Sequence, residues 1–334
     1  MPELRKDPLL DRWVILAPER ADRPNSFLRP QEDADMTHCP FCPGNEALTT
    51  SELYAQRAPG SAINTPGWSL RVIPNRYPAL RTEIPVTRAG VGVYDSMGGT
   101  GAHEVIIETP DHRGGLAKMD AGQIAQVLRA WQVRMLDLSR DDRLVHAQIF
   151  QNVGAPAGAT LTHPHSQLIA LPLIPRELSG ELEASREHFG RKQRCLLCDL
   201  VAQELLAKER VVHESERWVA LCPYASRSPF EVHLHPRQHR PSFEKLGPDD
   251  LIGLAQSLRT VLRKLFVALD GPSMNLFLMT LPLREPAHPW YHCRIVLKPV
   301  LTQPGGFEWG SGLCINPTLP EEAARFLRQT EAST

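Results

Sequence analysis

The chain has 334 residues and a net charge of −1, enough length for two ordinary hydrophobic cores. That balance gives no bulk attraction to nucleic acid or to an anionic membrane, so neither is an expected partner. Its N-terminus, Met1-Pro-Glu-Leu-Arg-Lys-Asp-Pro8, lacks the apolar core of a secretion signal, and no apolar run approaches the roughly 20 residues of a membrane helix.

In chain order, Asp11-Arg-Trp-Val-Ile-Leu-Ala-Pro-Glu-Arg20 reads as a short strand entering a basic loop with Arg20 and Arg23. Residues 24–50, rich in Pro, Asn, Asp and Thr, read as loop around Cys39-Pro-Phe-Cys42. A strand at Leu70-Arg-Val-Ile73 ends in the turn Pro74-Asn-Arg-Tyr-Pro78. Gly98-Gly-Thr-Gly101 lacks the Lys-Ser/Thr ending of a phosphate loop and is read as a hairpin turn. The strand His103-Glu-Val-Ile-Ile-Glu108 follows and runs into Pro110-Asp-His112. Ile124, Val127, Leu128, Trp131, Met135 and Leu138 recur at helical spacing within 120–138. A strand over 144–150 leads through Asn152-Val-Gly-Ala-Pro-Ala-Gly158 to Thr160-Leu-Thr-His-Pro-His-Ser-Gln-Leu-Ile-Ala-Leu-Pro172. Pro164 fixes its own φ and biases His163 towards extended backbone, so His163, His165 and Gln167 share one face of a strand.

The second half repeats this order. Cys195-Leu-Leu-Cys198 echoes the first cysteine pair, and Phe230-Glu-Val-His-Leu-His235 runs into Pro236-Arg-Gln-His-Arg240 as the earlier strand runs into Pro110-Asp-His-Arg113. An apolar-periodic helix, a strand Met274-Asn-Leu-Phe-Leu-Met279 and a strand within Trp290-Tyr-His-Cys-Arg-Ile-Val-Leu297 follow in the same sequence. His163 lies 51 residues after His112, and His292 lies 53 after His239. The expected fold class is therefore α+β, two tandem copies of one unit with antiparallel sheets and packed helices, over residues 1–175 and 176–334. The polar, charge-rich residues 176–194 join the copies as a helix.

Four of the seven cysteines fall in the two Cys-x-x-Cys pairs, which without a secretion signal points to metal binding and to a cytoplasmic protein rather than to disulfides. Each copy adds two histidines, giving two tetrahedral zinc sets: Cys39, Cys42, His112 and His163, then Cys195, Cys198, His239 and His292. Spacing alone leaves His233 and His235 as alternatives to His239. With four protein ligands each, both zincs are expected to be structural. His163 on the metal leaves His165 free as a nucleophile towards phosphorus. The second copy has Arg294 at that station, so one active and one degenerate copy is the expectation. Cations for phosphate oxygens are at hand in Arg20, Arg23 and Arg76.

His163-Pro-His-Ser-Gln167 resembles the histidine-triad superfamily, and more closely its transferase branch, the galactose-1-phosphate uridylyltransferase family. The resemblance extends over Trp13-Val-Ile-Leu-Ala-Pro-Glu-Arg-Ala-Asp-Arg-Pro24, Cys39-Pro-Phe-Cys42, Pro74-Asn-Arg-Tyr-Pro78, Pro110-Asp-His112 and Gly306-Phe-Glu308. It implies two histidine-triad-like domains, a homodimer, and a ping-pong cycle in which His165 takes the nucleotidyl group of a nucleotide sugar and passes it to a phosphate-bearing acceptor. It also implies that Gln167 holds a phosphoryl oxygen beside Ser166 and that Asn75, Arg76 and Asn152 contact the nucleotide. By the same resemblance Arg20 and Arg23 contact the sugar phosphate, Glu308 bonds sugar hydroxyls, and Asn316 belongs to the same binding region. Ser166, the second Cys-x-x-Cys and Gly306-Phe-Glu-Trp-Gly-Ser-Gly312 followed by Ile315-Asn-Pro317 resemble the ADP-glucose phosphorylase branch, whose acceptor is phosphate instead of hexose 1-phosphate. Uridylyl transfer is the first reading and adenylyl transfer the second. A zinc-stapled nucleotide-binding module without catalysis is the rival of another class, and Gln167 argues against a hydrolase.

Overall fold

The computed structural model describes residues 2–10, 12–22 and 39–331. Part of the element order occurs twice along the chain, and the remaining elements occur once. The first half runs β1 (Glu3–Asp7), β2 (Arg12–Leu16), β3 (Tyr54–Arg57), β4 (Trp68–Pro74), β5 (Arg88–Val91), β6 (Tyr94–Met97), β7 (Ala102–Ile107), α1 (Ala121–Leu138), β8 (His146–Val153) and β9 (His165–Leu171). Two helices, α2 (Arg176–Lys192) and α3 (Leu196–Ala207), lead into β10 (Val211–Glu214), β11 (Trp218–Leu221), β12 (Val232–Pro236), α4 (Pro248–Ala268), β13 (Met274–Met279) and β14 (Arg294–Pro299). The chain closes with α5 (Gly306–Ser311), β15 (Cys314–Asn316) and α6 (Pro320–Gln329).

The ten strands β10-β11-β12-β14-β13-β8-β9-β7-β4-β3 form one antiparallel sheet. Its order reads the same from either end, with β8 standing for β13 and β9 for β14. The two halves meet at the β8–β13 pair, where Phe150 faces Phe277 and Asn152 faces Asn275. The fold is thus α+β with antiparallel sheets and packed helices, as the motif order requires.

Helices α1 and α4 lie on one face. Asp120 starts α1 with a capping box, its carboxylate accepting from Gln123 N at 2.8 Å and Gln123 Oε1 accepting from Asp120 N at 3.0 Å. The periodic residues of the helix bury against Leu168 and Ala170 of β9 and against their counterparts from α4, in a single core shared by both halves. Period-two alternation then turns His165, Gln167 and Ile169 to the opposite face. In the second half α2 brings Leu178 and Leu182 against that face. In the first half Cys39, Phe41, Trp68, Ile73, Val105 and Ile107 pack together there. A small sheet, β1-β2-β15, joins the two ends of the chain, β15 running parallel to β2.

One local expectation changes, and one element appears that the sequence reading did not include. Gly98-Gly-Thr-Gly101 is a link from β6 to β7, not a hairpin turn; the hairpin is β5–β6, paired from Arg88–Met97 to Val91–Tyr94. The glycines serve close approach, since a Cβ at Gly98 would come within 2.5 Å of Pro85 O and one at Gly101 within 2.4 Å of Ala170 O. The second Cys-x-x-Cys opens a helix, α3, for which the cysteine spacing gave no sign.

Candidate active site and metal centres

Cys39 and Cys42 sit on one turn, closed by Cys42 N–H donating to Cys39 O and held by Asn45 Nδ2 on the same carbonyl at 2.8 Å. His112 follows β7 and His163 precedes β9, two strands that are paired neighbours. Cys42 Sγ lies 3.3 Å from His112 Nδ1 and 3.6 Å from His163 Nδ1, and Cys39 Sγ lies 3.7 Å from His163 Nδ1. A tetrahedral ion with sulfur at about 2.3 Å and nitrogen at about 2.0–2.1 Å sets sulfur–nitrogen edges of about 3.5 Å. The outer ring nitrogens are engaged elsewhere: His163 Nε2 donates to Thr109 O at 2.8 Å and His112 Nε2 lies 3.1 Å from Thr162 Oγ1. The bond to the Thr109 carbonyl leaves the Nδ1 lone pair of His163 facing the cysteine sulfurs. Burial pushes His163 down to about 4, which keeps it in the neutral, ligating form.

The second set is built alike. Cys198 Sγ stands 3.3 Å from both His239 Nδ1 and His292 Nδ1, while His239 Nε2 donates to His288 O and His292 Nε2 to Pro236 O. Of the three candidates His239 is the one grouped with the two cysteines and His292; His233 instead bonds Glu231 Oε1 at 2.9 Å. In each set the four ligand atoms lie within 4.8 Å of one another, so both can hold a metal ion.

His165 opens β9 opposite Ile107 and is 7% exposed. Its Nδ1 donates to His163 O at 2.8 Å, which fixes the tautomer and leaves the Nε2 lone pair for attack. Burial lowers its pKa below the ordinary histidine value, again favouring the neutral imidazole. The Phe41 ring stands edge-on to it, centroids 5.3 Å apart.

Gln167 shares that face and bonds His103 Nε2 through Oε1 at 2.8 Å. Asn75 reaches the same imidazole, its Nδ2 at 3.2 Å from His103 Nε2. Asn152 lies one step beyond the Gln151–Ser166 pair, on the face that carries Phe150, and accepts from Asn275 Nδ2 at 2.9 Å. Arg76 is exposed and donates to Leu48 O. Ser166, between His165 and Gln167, faces the other way: its Oγ accepts from Trp131 Nε1 at 2.8 Å in the core beneath the sheet. Beside it Glu108 is 3% exposed, its Oε2 accepting from Gln151 Nε2 at 2.7 Å, and burial pushes its carboxyl up to about 8. Nothing in the sequence singled out Trp131 or Glu108 beyond a helix stripe and a strand end.

The remaining candidates gather elsewhere. Arg20 and Glu308 line a cleft of about 760 Å³ with Arg227, Asn275, Lys298 and Trp309, a cleft that His165 and Gln167 do not line. Glu308 Oε2 accepts from Gly305 N at 2.8 Å, leaving its other oxygen for a ligand. Asn316 is 1% exposed with both amide ends used, Nδ2 on Ser226 O and Oδ1 accepting from Thr318 N. Arg23 lies outside the described residues.

Residues 1–175 match the N-terminal domain of galactose-1-phosphate uridyl transferase and residues 181–299 its C-terminal domain. The chain belongs to the galactose-1-phosphate uridyl transferase family. Among curated relatives, the ADP-glucose phosphorylase of Arabidopsis thaliana is 37% identical over 98% of this chain and 93% of its own length. The galactose-1-phosphate uridylyltransferase of Thermotoga maritima is 32% identical over 99% of both chains. Among solved structures, the Arabidopsis ADP-glucose phosphorylase with bound ADP-glucose superposes with a TM-score of 0.84 at 34% identity over 100% of both chains. A structure of uridylyltransferase superposes with a TM-score of 0.78 at 28% identity, over 99% of this chain and 98% of its own.

Within this galactose-1-phosphate uridyl transferase fold the second half carries Arg294 at the station of His165. Arg294, two residues after His292 as His165 is two after His163, is 4% exposed and makes a two-pronged ion pair with Glu181 of α2. The station is filled by a structural cation, with Tyr291 Oη on the same carboxylate at 3.2 Å.

Proposed function

We propose that this chain transfers a nucleotidyl group from a nucleotide sugar to a phosphate-bearing acceptor through a covalent adduct on His165, with uridylyl exchange between UDP-glucose and hexose 1-phosphate as its reaction. The observation that carries the reading is the hydrogen bond from His165 Nδ1 to His163 O, which presents an unprotonated Nε2 from a buried ring. Nε2 attacks the α-phosphorus, the P–N bond forms as the bridging P–O bond breaks, and sugar 1-phosphate leaves. A phosphate oxygen of the acceptor then attacks the same phosphorus and releases the imidazole. Gln167, Asn75, Arg76 and Asn152 hold the nucleotide and its phosphates. Arg20, Arg23, Glu308 and the segment around Asn316 serve the sugar phosphate. Because the cleft of Arg20 and Glu308 is not lined by His165, a homodimer that brings one chain's cleft to the other's nucleophile is part of this reading.

Zinc is the proposed ion at both cysteine–histidine sets, in cross-linking roles with four protein ligands each. Holding His163 also holds the carbonyl that orients His165, so the first set supports the nucleophile without touching substrate.

A second reading, adenylyl transfer from ADP-glucose to inorganic phosphate, is favoured by the 37% identity to the Arabidopsis phosphorylase against 32% to the Thermotoga uridylyltransferase. Intact-protein mass after brief incubation with UDP-glucose or with ADP-glucose, without acceptor, separates the two. A uridylyl adduct lost in His165→Ala supports the first and an adenylyl adduct the second. Absence of any adduct overturns both.

A further inference from the structure

A carboxamide beside a reacting phosphate helps or harms according to which end faces the phosphorus. The NH₂ end stabilises the negative oxygens, and the oxygen end repels them. The orientation of Gln167 is therefore a functional quantity, and the hydrogen bonds around His103 settle it. Ala79 N–H donates to His103 Nδ1 at 3.1 Å. A backbone amide can only donate, so Nδ1 carries the lone pair and the ring proton sits on Nε2. That proton points at Gln167 Oε1, 2.8 Å away. Asn75 Nδ2 is 3.2 Å from the same Nε2, but Asn75 Oδ1 already accepts from Tyr77 N at 2.9 Å. Its NH₂ is thus a second donor at that nitrogen, and the two cannot bond. Both carboxamides have their oxygens engaged and their NH₂ groups left over.

Strand register says where the spare NH₂ of Gln167 goes. Along the β7–β9 ladder His165 stands opposite Ile107, Gln167 opposite Val105 and Ile169 opposite His103. Gln167 of β9 therefore lies between His165 of its own strand and His103 of β7 on one face of the sheet. Its oxygen is drawn to the His103 side, and its NH₂ is left on the His165 side.

We propose that His103 is a positioning residue: its Nε2–H holds Gln167 by the oxygen, so that the amide hydrogens face the phosphorus attacked by His165. This rests on the proposed nucleotidyl transfer and names the part of its site that sets the charge stabilisation. His103 touches no reacting atom. With its N–H removed, the Gln167 amide can rotate and bring its oxygen towards the phosphoryl group.

The test uses the full-length, metal-loaded protein and the single-turnover rate of adduct formation with whichever nucleotide sugar labels the wild type. His103→Leu is expected to slow the step about 10- to 100-fold, less than the roughly 100- to 1000-fold for removing a stabilising donor outright, because Gln167 is still present but no longer held. His103→Gln, which can present an N–H near the Nε2 position, is expected to stay within about threefold of wild type. The double variant His103→Leu with Gln167→Ala is expected to be no slower than Gln167→Ala alone, because the two act as one unit. Multiplying losses, or a wild-type rate in His103→Leu, overturns the proposal. A second measurement does not need turnover: long-range proton–nitrogen NMR of the histidine rings should show His103 as the Nε2–H tautomer. An Nδ1–H tautomer overturns the positioning role even in an active enzyme. Absence of any adduct in the wild type overturns the nucleotidyl transfer instead.

Discussion

Glu108 offers a stability experiment whose sign and size follow from its surroundings. It follows β7 beneath the sheet, where burial pushes its carboxyl up from 4.5 to about 8 against the opposing hydrogen bonds of Ser166 and Gln151. A carboxyl with a raised folded value binds its proton more tightly in the native state than in the unfolded chain. Its contribution is fully present below the unfolded value of 4.5 and is lost as pH climbs towards 8. At about 1.4 kcal/mol per pH unit, the window from 4.5 to about 8 corresponds to about 5 kcal/mol. Glu108→Gln keeps the shape and the acceptor for Gln151 but removes the charge. Urea midpoints of the two metal-loaded proteins, measured from pH 5 to pH 8.5, should diverge by about 1.4 kcal/mol per pH unit in favour of the variant and then run parallel. Comparing the two curves cancels what the cysteines and histidines contribute to both. A constant difference across that range, or a wild type that gains on the variant as pH rises, would show that Glu108 is not the buried acid described here.

Three further outcomes test other parts of the structure. Cys39→Ser should lower bound metal by one equivalent and depress the thermal midpoint before any intrinsic effect on transfer is seen, measured by metal analysis and calorimetry. Arg294→Met strands the buried Glu181 charge and should cost about 3–5 kcal/mol, while adding Glu181→Gln should recover much of it; equal losses in the single and double variants would mean that the pair is not coupled. Ser166→Ala leaves the Trp131 indole N–H without its acceptor and should cost about 1–3 kcal/mol of stability while leaving the rate of adduct formation nearly unchanged. A large rate loss at wild-type stability would return Ser166 to the reaction itself.

Much of the molecule was legible because it is written twice. Matching intervals between cysteine pairs and histidines point to the same two cysteine–histidine groups that the fold brings together, with His165 the histidine left over. Period-two alternation around Pro164 placed Gln167 with His165, and the same alternation sends Ser166 to the core, where Trp131 bonds it. What stayed hidden depends on long-range pairing. Choosing His239 over His233 needed the position of Cys198 relative to the end of β12. His103 is one more polar residue in a strand until Ala79 and Gln167 are seen on its two nitrogens. Asn316 reads as a ligand contact in its motif, but only the fold shows Ser226 and Thr318 at its two ends. The separation of Arg20 and Glu308 from His165 lies likewise beyond any local pattern.

The pairing of β8 with β13 has a consequence for how the chain is made. β8 ends at Val153 and β13 begins at Met274, so on the ribosome the leading half waits for more than a hundred residues with a strand edge open. Such an edge invites pairing with a neighbouring nascent chain. The β2–β15 ladder comes later still, joining Leu16 to Asn316. Contacts so distant in sequence make for slow acquisition of the native state. A leading half synthesised alone would expose the same edge permanently, and it should stay in solution only when the trailing half is supplied in time to cover it.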